Sequence, residues 1–400
     1  MIAKIKFKNY KRFEKEQVLE IRPITVLVGR NSSGKSSIAK LLSLLAHSVS
    51  EDAVSPLLFE SDGVRLGTSF ADICHDGNML GLGFTLEYNN NCKITAELAS
   101  DSTRQEVSIS RYSVECGQQY VSLELKKGSG RYESSEGNDV TYGAEDFTGL
   151  LNGELLEKNG IETKILGMNV DYIGPFRCMP ERTVYASGNA NIKMVGPKGE
   201  SAYQALSQSK EIEAKVSAWY EKAFAGCTMK VERVEGEYGA YHVNYYKKDS
   251  QHGINIADEG MGMSQVLPII VRANMAVENS IVVIEQPELH LHPQAHVEIA
   301  RLLAETSKRK KGDGSALRQR YVVETHSENI LLGLRDAVVD KNVNFNPDDV
   351  IIYFVMEKED GTSTLEPIYI TEKGELTFWP KGVFNEAYEL LKTVQKKANS

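Results

Sequence analysis

Short apolar runs alternate with helical spacings of apolar residues along this chain. The runs at residues 23–28, 281–284 and 321–323 predict buried strands. After the first run, apolar residues recur at helical spacing, namely Ile38, Leu41, Leu42 and Leu45. Further helices are predicted at about 293–307, from about 327, and at about 385–397. Because strands that alternate with helices build parallel sheets, the pattern predicts an α/β core with functional groups at the strand ends.

The segment from about residue 80 to residue 141 has a different pattern, in which apolar and polar residues alternate. It contains GLGFTLEY, CKITAEL, EVSISRYSVEC and YVSLELKK, separated by clusters of Asn, Gly and Ser. Alternation predicts strands with one buried face, and the clusters between them predict turns. We therefore expect an antiparallel sheet inserted into the α/β core. A helical stretch is predicted at residues 199–226.

Composition narrows the class of protein. The net charge of −9 means that any contact with DNA needs a local basic patch. Residues 308–311 (KRKK) are the one candidate, and a solvated loop explains them better than a DNA site. No apolar run is long enough for a transmembrane helix, so no membrane contact is expected. The five scattered cysteines predict neither a disulfide framework nor a zinc site, in keeping with the cytoplasm.

Residues 29–37, GRNSSGKSS, match the phosphate-loop pattern G-x-x-x-x-G-K-[ST] and lie between a predicted strand and a predicted helix. Glycines let backbone N–H groups converge on a polyphosphate, and the helix N-terminus adds a favourable dipole. Lys35 is expected to reach the β- and γ-phosphates of ATP, and Ser36 to bind Mg2+. The predicted ATP-binding residues of the loop are Gly29, Asn31, Ser32, Ser33, Gly34, Lys35, Ser36 and Ser37.

A second predicted strand ends in acidic residues, in the sequence SIVVIEQPELHLHP at 280–293. Glu285 at the strand end is expected to complete the Mg2+ site with Ser36. Gln286 stands where a catalytic carboxylate is usual, and an amide cannot take a proton from water. Gln286 can still orient water, and Glu288 shares its face in an extended chain. We therefore expect slow hydrolysis, with Gln286, Glu288 and His326 as the catalytic residues.

Two further segments carry candidate chemistry. In residues 256–273, a Gly-x-Gly-x-Ser turn at a helix start predicts a second anion site, and a plain helix cap by Ser264 is the alternative. Since one chain needs one phosphate loop, this turn is expected to face the nucleotide of another subunit. Its residues are Gly260, Gly262, Ser264 and Gln265. In YVVETHSENILLGL, His326 is expected to hydrogen-bond the γ-phosphate, and a structural histidine is the alternative.

The order of these segments resembles the ABC-type ATPase heads of the SMC and OLD families. The closer resemblance is to small bacterial OLD-like AAA-family ATPases that lack a coiled-coil arm and a TOPRIM nuclease domain. It rests on the phosphate loop and on the segments at 66–75, 171–182, 258–269, 284–293, 323–331 and 375–391. The last of these resembles the tail that such proteins carry as a domain of unknown function.

The resemblance implies a P-loop NTPase fold of the ABC-ATPase-head type, with the β-rich insertion and a small C-terminal α+β tail. The expected divisions are the N-terminal part of the head, the insertion, a mixed helical and β lobe, the C-terminal part of the head, and the tail. Their boundaries are 1–80, 81–170, 171–250, 251–345 and 346–400.

The resemblance also implies a homodimer, or a higher homo-oligomer, that encloses two ATP–Mg2+ between its subunits. The phosphate loop of one chain would then face Gly262 and Ser264 of the other. His292 and Pro293 match the D-loop at the dimer seam, which explains His290 and His292 better than a metal site does. Arg12 matches an N-terminal contact near the nucleotide. No counterpart of the Q-loop glutamine follows the first helix.

Several members of the family act in bacterial defence against phage, together with a separately encoded effector that is often a nuclease. This chain carries no nuclease motif, so the resemblance implies an ATP-driven switch or scaffold for such an effector. Two alternatives stay open. One is a non-hydrolysing ATP-bound scaffold, which Gln286 favours. The other is an SMC-like DNA-maintenance ATPase, against which the absent arm and the acidic charge count.

Overall fold

The computed structural model describes residues 1–100, 106–126, 130–134, 141–185, 191–379, 384 and 386–398. The first elements are β1 (Ile2–Lys8), β2 (Gln17–Glu20), β3 (Ile24–Gly29), α1 (Lys35–Ser48), β4 (Glu60–Ser61), β5 (Val64–Arg65), α2 (Phe70–Ile73), β6 (Leu80–Tyr88) and β7 (Cys92–Ser100). The next are β8 (Val107–Cys116), β9 (Gln119–Leu125), β10 (Arg131–Ser134), β11 (Thr141–Gly143), α3 (Gly153–Lys158), β12 (Asn169–Ile173), β13 (Val184–Tyr185), α4 (Ala202–Gln208) and α5 (Lys210–Ala223). The last are β14 (Thr228–Arg233), β15 (Ala240–Tyr246), β16 (Ile254–Asn255), α6 (Met261–Asn274), β17 (Ser280–Glu285), α7 (Pro293–Ser307), β18 (Arg320–Glu324), α8 (Glu328–Val339), β19 (Val350–Glu357), β20 (Ser363–Ile368) and α9 (Glu386–Ala398).

The central sheet has the strand order β12-β17-β18-β3-β19-β20. Its neighbouring strands are parallel except for the last pair. Side chains alternate between its two faces, so that Leu27 packs in a core with α1 while Val26 and Val28 pack in a second core with α6, α7 and α8. Burial on both faces explains why these strands are continuously apolar in sequence. The predicted α/β core is confirmed.

The predicted antiparallel sheet is also present, and it begins earlier in the chain than expected. Its order is β11-β10-β9-β8-β7-β6-β1-β2, so the N-terminal strands of the expected division 1–80 belong to it. One cysteine pair corrects the expectation from sequence: Cys92 and Cys116 lie opposite each other on β7 and β8 and form a disulfide. The hairpin brings together two residues that are 24 positions apart. The other cysteines are free.

A third, smaller sheet consists of β13, β15, β14 and β16. Its first three strands lie in the expected mixed lobe, while β16 lies in the next expected division, 251–345. The helical stretch of that lobe is divided into α4 and α5, because Ser209 leaves the helical conformation and caps α5 by accepting from the Ile212 N–H. The strand β12 of the same expected lobe belongs to the central sheet instead. Likewise, the expected tail contributes β19 and β20 to the central sheet before it ends in α9.

The basic run at 308–311 has structural partners. Lys308 Nζ lies 2.8 Å from Asp349 Oδ1, and Lys311 Nζ lies 2.6 Å from Glu278 Oε1. The two lysines therefore hold the loop after α7 to its neighbours. Among the described residues, no helix has the length and apolar character needed to cross a membrane.

Candidate functional site

The phosphate loop joins β3 to α1 with a backbone that only glycine accommodates at two positions. Gly34 precedes the helix with φ of 108°, and an added Cβ would lie 3.0 Å from the Phe13 ring. At Gly29 an added Cβ would lie 2.7 Å from the Val355 carbonyl oxygen. The loop is therefore held between the N-terminal turn of the chain and β19. Its helix N-terminus leaves N–H groups free to bind an anion.

Lys35 and Ser36 begin α1 at the centre of the site. Lys35 Nζ donates to the carbonyl oxygens of Gly29 at 3.1 Å and Arg30 at 2.7 Å. Burial lowers the pKa of Lys35, and the nearby carboxylates of Glu324 and other acids oppose this shift. Ser36 Oγ donates to Glu324 Oε1 at 3.0 Å. The phosphate loop and the end of β18 thus form one site.

Three buried or half-buried carboxylates, those of Glu285, Glu288 and Glu324, lie near Lys35 and Ser36. Glu285 and Glu324 end the neighbouring strands β17 and β18 in register. Burial, followed by repulsion from Glu324, raises the pKa of Glu285 to about 7, although Glu285 accepts a 2.6 Å hydrogen bond from the Tyr172 hydroxyl. Burial also raises the pKa of Glu324 and that of Glu288. Glu288 Oε1 accepts from the His326 N–H at 2.7 Å.

From the sequence, Glu285 was expected to share a Mg2+ site with Ser36. In the structure, Ser36 hydrogen-bonds Glu324 instead. The two acids are neighbours because their strands are adjacent, but only Glu324 lines the cavity in front of the loop. Glu288 does not line it either; it holds the backbone of His326 from behind. The remaining predicted catalytic residues, Gln286 and His326, do line the cavity.

A cavity of about 550 Å³ lies in front of the loop. Six of the predicted ATP-binding residues of the loop line it, namely Asn31, Ser32, Gly34, Lys35, Ser36 and Ser37. Ser33 and Gly29 are buried and shape the loop from behind, with the Ser33 carbonyl accepting from the Ser363 hydroxyl at 2.7 Å. Partial burial and the charge of Lys35 lower the pKa of His326. The imidazole is therefore a neutral group facing the phosphate loop near pH 7.

Arg12 lines the same cavity, as the resemblance implied. Its guanidinium bonds Glu357 Oε1 at 2.5 Å, and the Tyr10 hydroxyl donates to the Ser37 carbonyl at 2.7 Å. The turn at residues 9–13 therefore packs directly on the phosphate loop. Three further residues line the cavity and were not predicted from the sequence, namely Lys11, Asp72 and Cys74.

The predicted second anion site is the N-terminus of α6. Gly260 and Met261 are exposed, while Ser264 and Gln265 are 1% and 3% exposed. Ser264 Oγ donates to the Met261 carbonyl, so it does not cap the helix by the alternative route. The expected contact of Gln265 with a nucleotide needs correction, because its amide is buried in its own chain against the backbone of Arg177. None of the four predicted residues lines the cavity of the same chain.

The predicted D-loop residues begin α7. His292 is exposed, and its Nδ1 accepts from the Gln294 N–H at 3.4 Å, which makes it the cap of a helix that starts with Pro293. His290 is exposed with φ of 65°. In the part of the chain that the structure describes, no group of three or more histidine, cysteine, aspartate or glutamate side chains is placed to hold a metal ion.

The roles of Glu324, Arg177 and Tyr172 were not predicted from the sequence. The signal for Glu324 was present, since YVVE is an apolar strand that ends in an acid just as SIVVIE does. Tyr172 lies within β12, a strand that was not predicted, and Arg177 follows it; a buried arginine leaves no local sequence pattern. Both side chains contact Glu285: Tyr172 its carboxylate and Arg177 its carbonyl oxygen at 2.8 Å.

The donor set of the site suits Mg2+. Ser36 offers a hydroxyl oxygen, and the buried Glu324 has an Oε2 without a hydrogen-bond partner among the described residues. Oxygen donors of this kind are those that Mg2+ prefers, in combination with phosphate oxygens and water.

Models of two protein families match the chain. One, described as "AAA domain, putative AbiEii toxin, Type IV TA system", matches residues 24–332. The other, described as "Protein of unknown function", matches residues 345–393 and confirms the expected resemblance of the tail. No curated protein matches the chain.

Solved structures of SMC heads are also similar to this chain. The SMC head domain from Thermotoga maritima is 13% identical over 92% of this chain and 98% of that chain, with a TM-score of 0.44. The Smc head domain with an extended coiled coil, bound to the C-terminal domain of ScpA derived from Pyrococcus furiosus, is 11% identical over 98% of this chain and 99% of that chain, with a TM-score of 0.45.

Proposed function

Since this chain belongs to the AAA-domain family whose model matches residues 24–332, we propose that it binds ATP and Mg2+ in the cavity before the phosphate loop and hydrolyses the ATP slowly. The family and the loop bear out the expected P-loop ATPase. The observation that carries the proposal is the hydrogen bond between Ser36 and Glu324, with Lys35, Gln286 and His326 around the same cavity. The cavity thus offers a cationic partner for a phosphate group, oxygen ligands for a divalent cation and hydrogen-bonding groups for a water molecule.

Binding relies on charge and on backbone N–H groups. The N–H groups of residues 32–36 and the dipole of α1 favour the phosphates. The ammonium group of Lys35 already lies within the loop, where it donates to two carbonyl oxygens. It could exchange these neutral acceptors for the oxygens of a bound phosphate. Ser36 and Glu324 would hold the cation, and the buried Glu285 lies beside Glu324 at the end of the neighbouring strand. When bound, Mg2+ neutralises charge on the phosphates.

Hydrolysis depends on the groups that face the γ-phosphate side of the cavity. Gln286 has a side-chain amide that orients water but does not take its proton. His326 is neutral near pH 7 and donates or accepts one hydrogen bond. Glu288 positions His326 through the backbone, which assigns it a supporting role. A site without a carboxylate at position 286 lacks a general base worth about 10²–10⁴-fold. Slow turnover follows.

The exposed turn at the N-terminus of α6 completes the proposal. Gly260 and Met261 present main-chain N–H groups and an apolar side chain to solvent, on a surface that does not reach the cavity of the same chain. We assign this surface to a second copy of the chain, which would place the turn over the partner's nucleotide. ATP then acts as the closing element of a homodimer that serves as a switch or scaffold for a separately encoded effector. A role in defence against phage is part of this proposal and rests on the resemblance; the matched family is described as "putative AbiEii toxin, Type IV TA system".

A non-hydrolysing ATP-bound scaffold is the second candidate. Gln286 favours it, since its side-chain amide cannot take a proton from water. The two functions differ in one measurement. After hours with Mg2+, a switch releases phosphate while a scaffold retains intact ATP.

The test combines nucleotide binding, phosphate release and oligomeric state. Wild-type protein is expected to bind ATP, release phosphate slowly in the presence of Mg2+, and sediment as a dimer with ATP. Lys35→Ala is expected to lose all three properties. Met261→Asp changes an exposed side chain outside the cavity, so it is expected to bind ATP normally but to remain a monomer. A wild-type chain that stays monomeric with ATP and Mg2+ would contradict the dimer proposal.

A further inference from the structure

Two turns of this chain touch each other although they would serve different nucleotides in the proposed dimer. The signature turn, residues 260–264, would face the partner's nucleotide, and the catalytic turn, residues 286–290, faces the chain's own. At Gly262 an added Cβ would lie 2.5 Å from the His290 carbonyl oxygen. There is no room between the two backbones at this point, so a movement of one turn displaces the other.

Arg177 lies between the same two segments. It is 5% exposed, and its guanidinium donates to main-chain carbonyl oxygens on both sides: Glu285 at 2.8 Å and Gln286 at 3.2 Å, and Gln265 at 3.3 Å. Its Nε has no hydrogen-bond partner among the described residues. Burial lowers the pKa of Arg177 to about 10, so it is still a cation near pH 7. The charges of Glu288 and Glu285 partly oppose this shift, but the hydrogen bonds of the guanidinium go to carbonyl oxygens of the two segments. A buried cation held in this way is costly to fold, which points to a role other than stability.

The side chain of Gln265 in turn hydrogen-bonds the backbone of Arg177. Its Oε1 accepts from the Arg177 N–H at 3.3 Å, and its Nε2 donates to the Arg177 carbonyl oxygen, also at 3.3 Å. The first turns of α6 are therefore fixed to Arg177 by side chain and main chain. On the other side, the Gln286 N–H donates to the Glu324 carbonyl at 2.8 Å, which links the catalytic turn to the strand end that binds Ser36. The chain of contacts is continuous from α6 to the phosphate loop.

We propose that Arg177 is a positioning residue that couples the signature turn to the catalytic turn, so that engagement of the partner's nucleotide sets the position of Gln286 over the chain's own. This inference rests on the proposed function, because it makes the two ATP sites of the dimer cooperative. Gln265 has the same positioning role on α6, because it hydrogen-bonds the backbone of Arg177. Neither residue lines the cavity, so neither contacts the nucleotide bound there.

The first test measures the coupling without nucleotide. Hydrogen–deuterium exchange is followed in the backbone of residues 286–292 in Arg177→Met, Arg177→Lys, Gln265→Leu and the double variant Arg177→Met/Gln265→Leu. Exchange is expected to be about ten-fold faster in Gln265→Leu, a change made only on α6, and no faster in the double variant than in Arg177→Met. Arg177→Lys is expected to be intermediate. Arg182→Ala is the matched control, because it removes an exposed arginine of the same segment that pairs with Asp258.

The proposal is overturned if residues 286–292 exchange at the wild-type rate in folded Gln265→Leu. It is also overturned if exchange rises equally throughout α7, because the effect would then be a general loss of stability. Gln265→Leu keeps the test decisive if Arg177→Met does not fold.

The second test uses steady-state ATP turnover. Arg177→Met and Gln265→Leu are expected to lower kcat about 10–100-fold while KM changes less than about three-fold, since the binding residues are intact. The Hill coefficient for ATP is expected to fall to 1 in both. An unchanged Hill coefficient above 1 counts against the coupling. If the wild-type chain does not turn ATP over, the proposed hydrolysis fails, and the exchange measurement still decides the coupling.

Discussion

Ser36 Oγ donates a 3.0 Å hydrogen bond to Glu324 Oε1, across 288 positions of sequence. The contact joins the first residue pair of α1 to the last residue of β18 and defines where a cation would lie. It also separates the roles of two acids that end neighbouring strands. Glu324 faces the cavity, while Glu285 is turned to the Tyr172 hydroxyl behind it.

Glu324→Gln is expected to weaken the dependence of the protein on Mg2+. The amide offers one neutral oxygen where a carboxylate offered two charged ones, and it still accepts from Ser36. We expect the Mg2+ concentration for half-maximal ATP turnover to rise about ten-fold or more, with stability unchanged or increased. A titration of turnover with Mg2+ measures this effect. Glu328→Gln, an exposed acid at the start of α8, serves as the control and is expected to behave as wild type.

The part of this site that local sequence determines was predicted, and the part that depends on strand pairing was not. The phosphate loop, the strand ending at Glu285 and the helix starting at Pro293 follow from short-range periodicity and motif spacing. The choice of Glu324 over Glu285 depends on which strands are neighbours and which side chains turn to the loop. Arg177 shows the same limit, because its partners are 88 and 108 positions away.

The fold shows the same division between local and long-range information. Alternation predicted the antiparallel strands, but not that β1 and β2 would join them, because apolar alternation carries no information on the partner strand. Cys92 and Cys116 are a consequence of that pairing, since register alone places them opposite each other. The strands β19 and β20 lie in the segment that was expected to form a separate α+β tail, and their place in the central sheet was missed for the same reason.

Gln286→Glu is expected to increase the rate of ATP hydrolysis. The variant supplies a proton acceptor at the one cavity-lining position of the catalytic turn, worth about 10²–10⁴-fold at its full effect. Single-turnover phosphate release under saturating Mg2+ measures it. Glu288→Ala is the companion variant, and we expect a smaller decrease because Glu288 does not line the cavity and contacts His326 through its backbone N–H. A rate unchanged by Gln286→Glu but abolished by Glu288→Ala would assign the base to Glu288.

The raised pKa of Glu285 predicts how stability without nucleotide depends on pH. Its pKa is about 7 in the folded chain against an ordinary value of 4.5. The folded chain therefore holds a proton that the unfolded chain has lost between these values, and stability falls as pH rises through that window. Glu285→Gln is expected to remove this part of the decrease and to be more stable than wild type at pH 8 by about 2–4 kcal/mol, with little difference at pH 4.5.

Urea unfolding at the two pH values, in EDTA and without ATP, measures the difference. Glu359→Gln changes an exposed acid and serves as the control, with the same pH dependence as wild type. An equal gain at both pH values would show that the substitution acts through packing and not through the proton.

The buried pair of Asp171 and Arg272 provides the clearest prediction for stability. Arg272 is 0% exposed, and its Nε donates to Asp171 Oδ2 at 2.6 Å, on a helix that leads from the signature turn into the core. Arg272→Met removes the cation and leaves a buried carboxylate, which costs about 3–5 kcal/mol. The free energy of unfolding in urea at pH 7 measures this loss.

Lys308→Met breaks a more exposed pair with Asp349 and is expected to cost less than about 1 kcal/mol. Because Asp171 also accepts from the Val195 N–H at 2.9 Å, the double variant Asp171→Asn/Arg272→Met is expected to recover part of the loss, and no recovery would mean that Arg272 acts through packing alone.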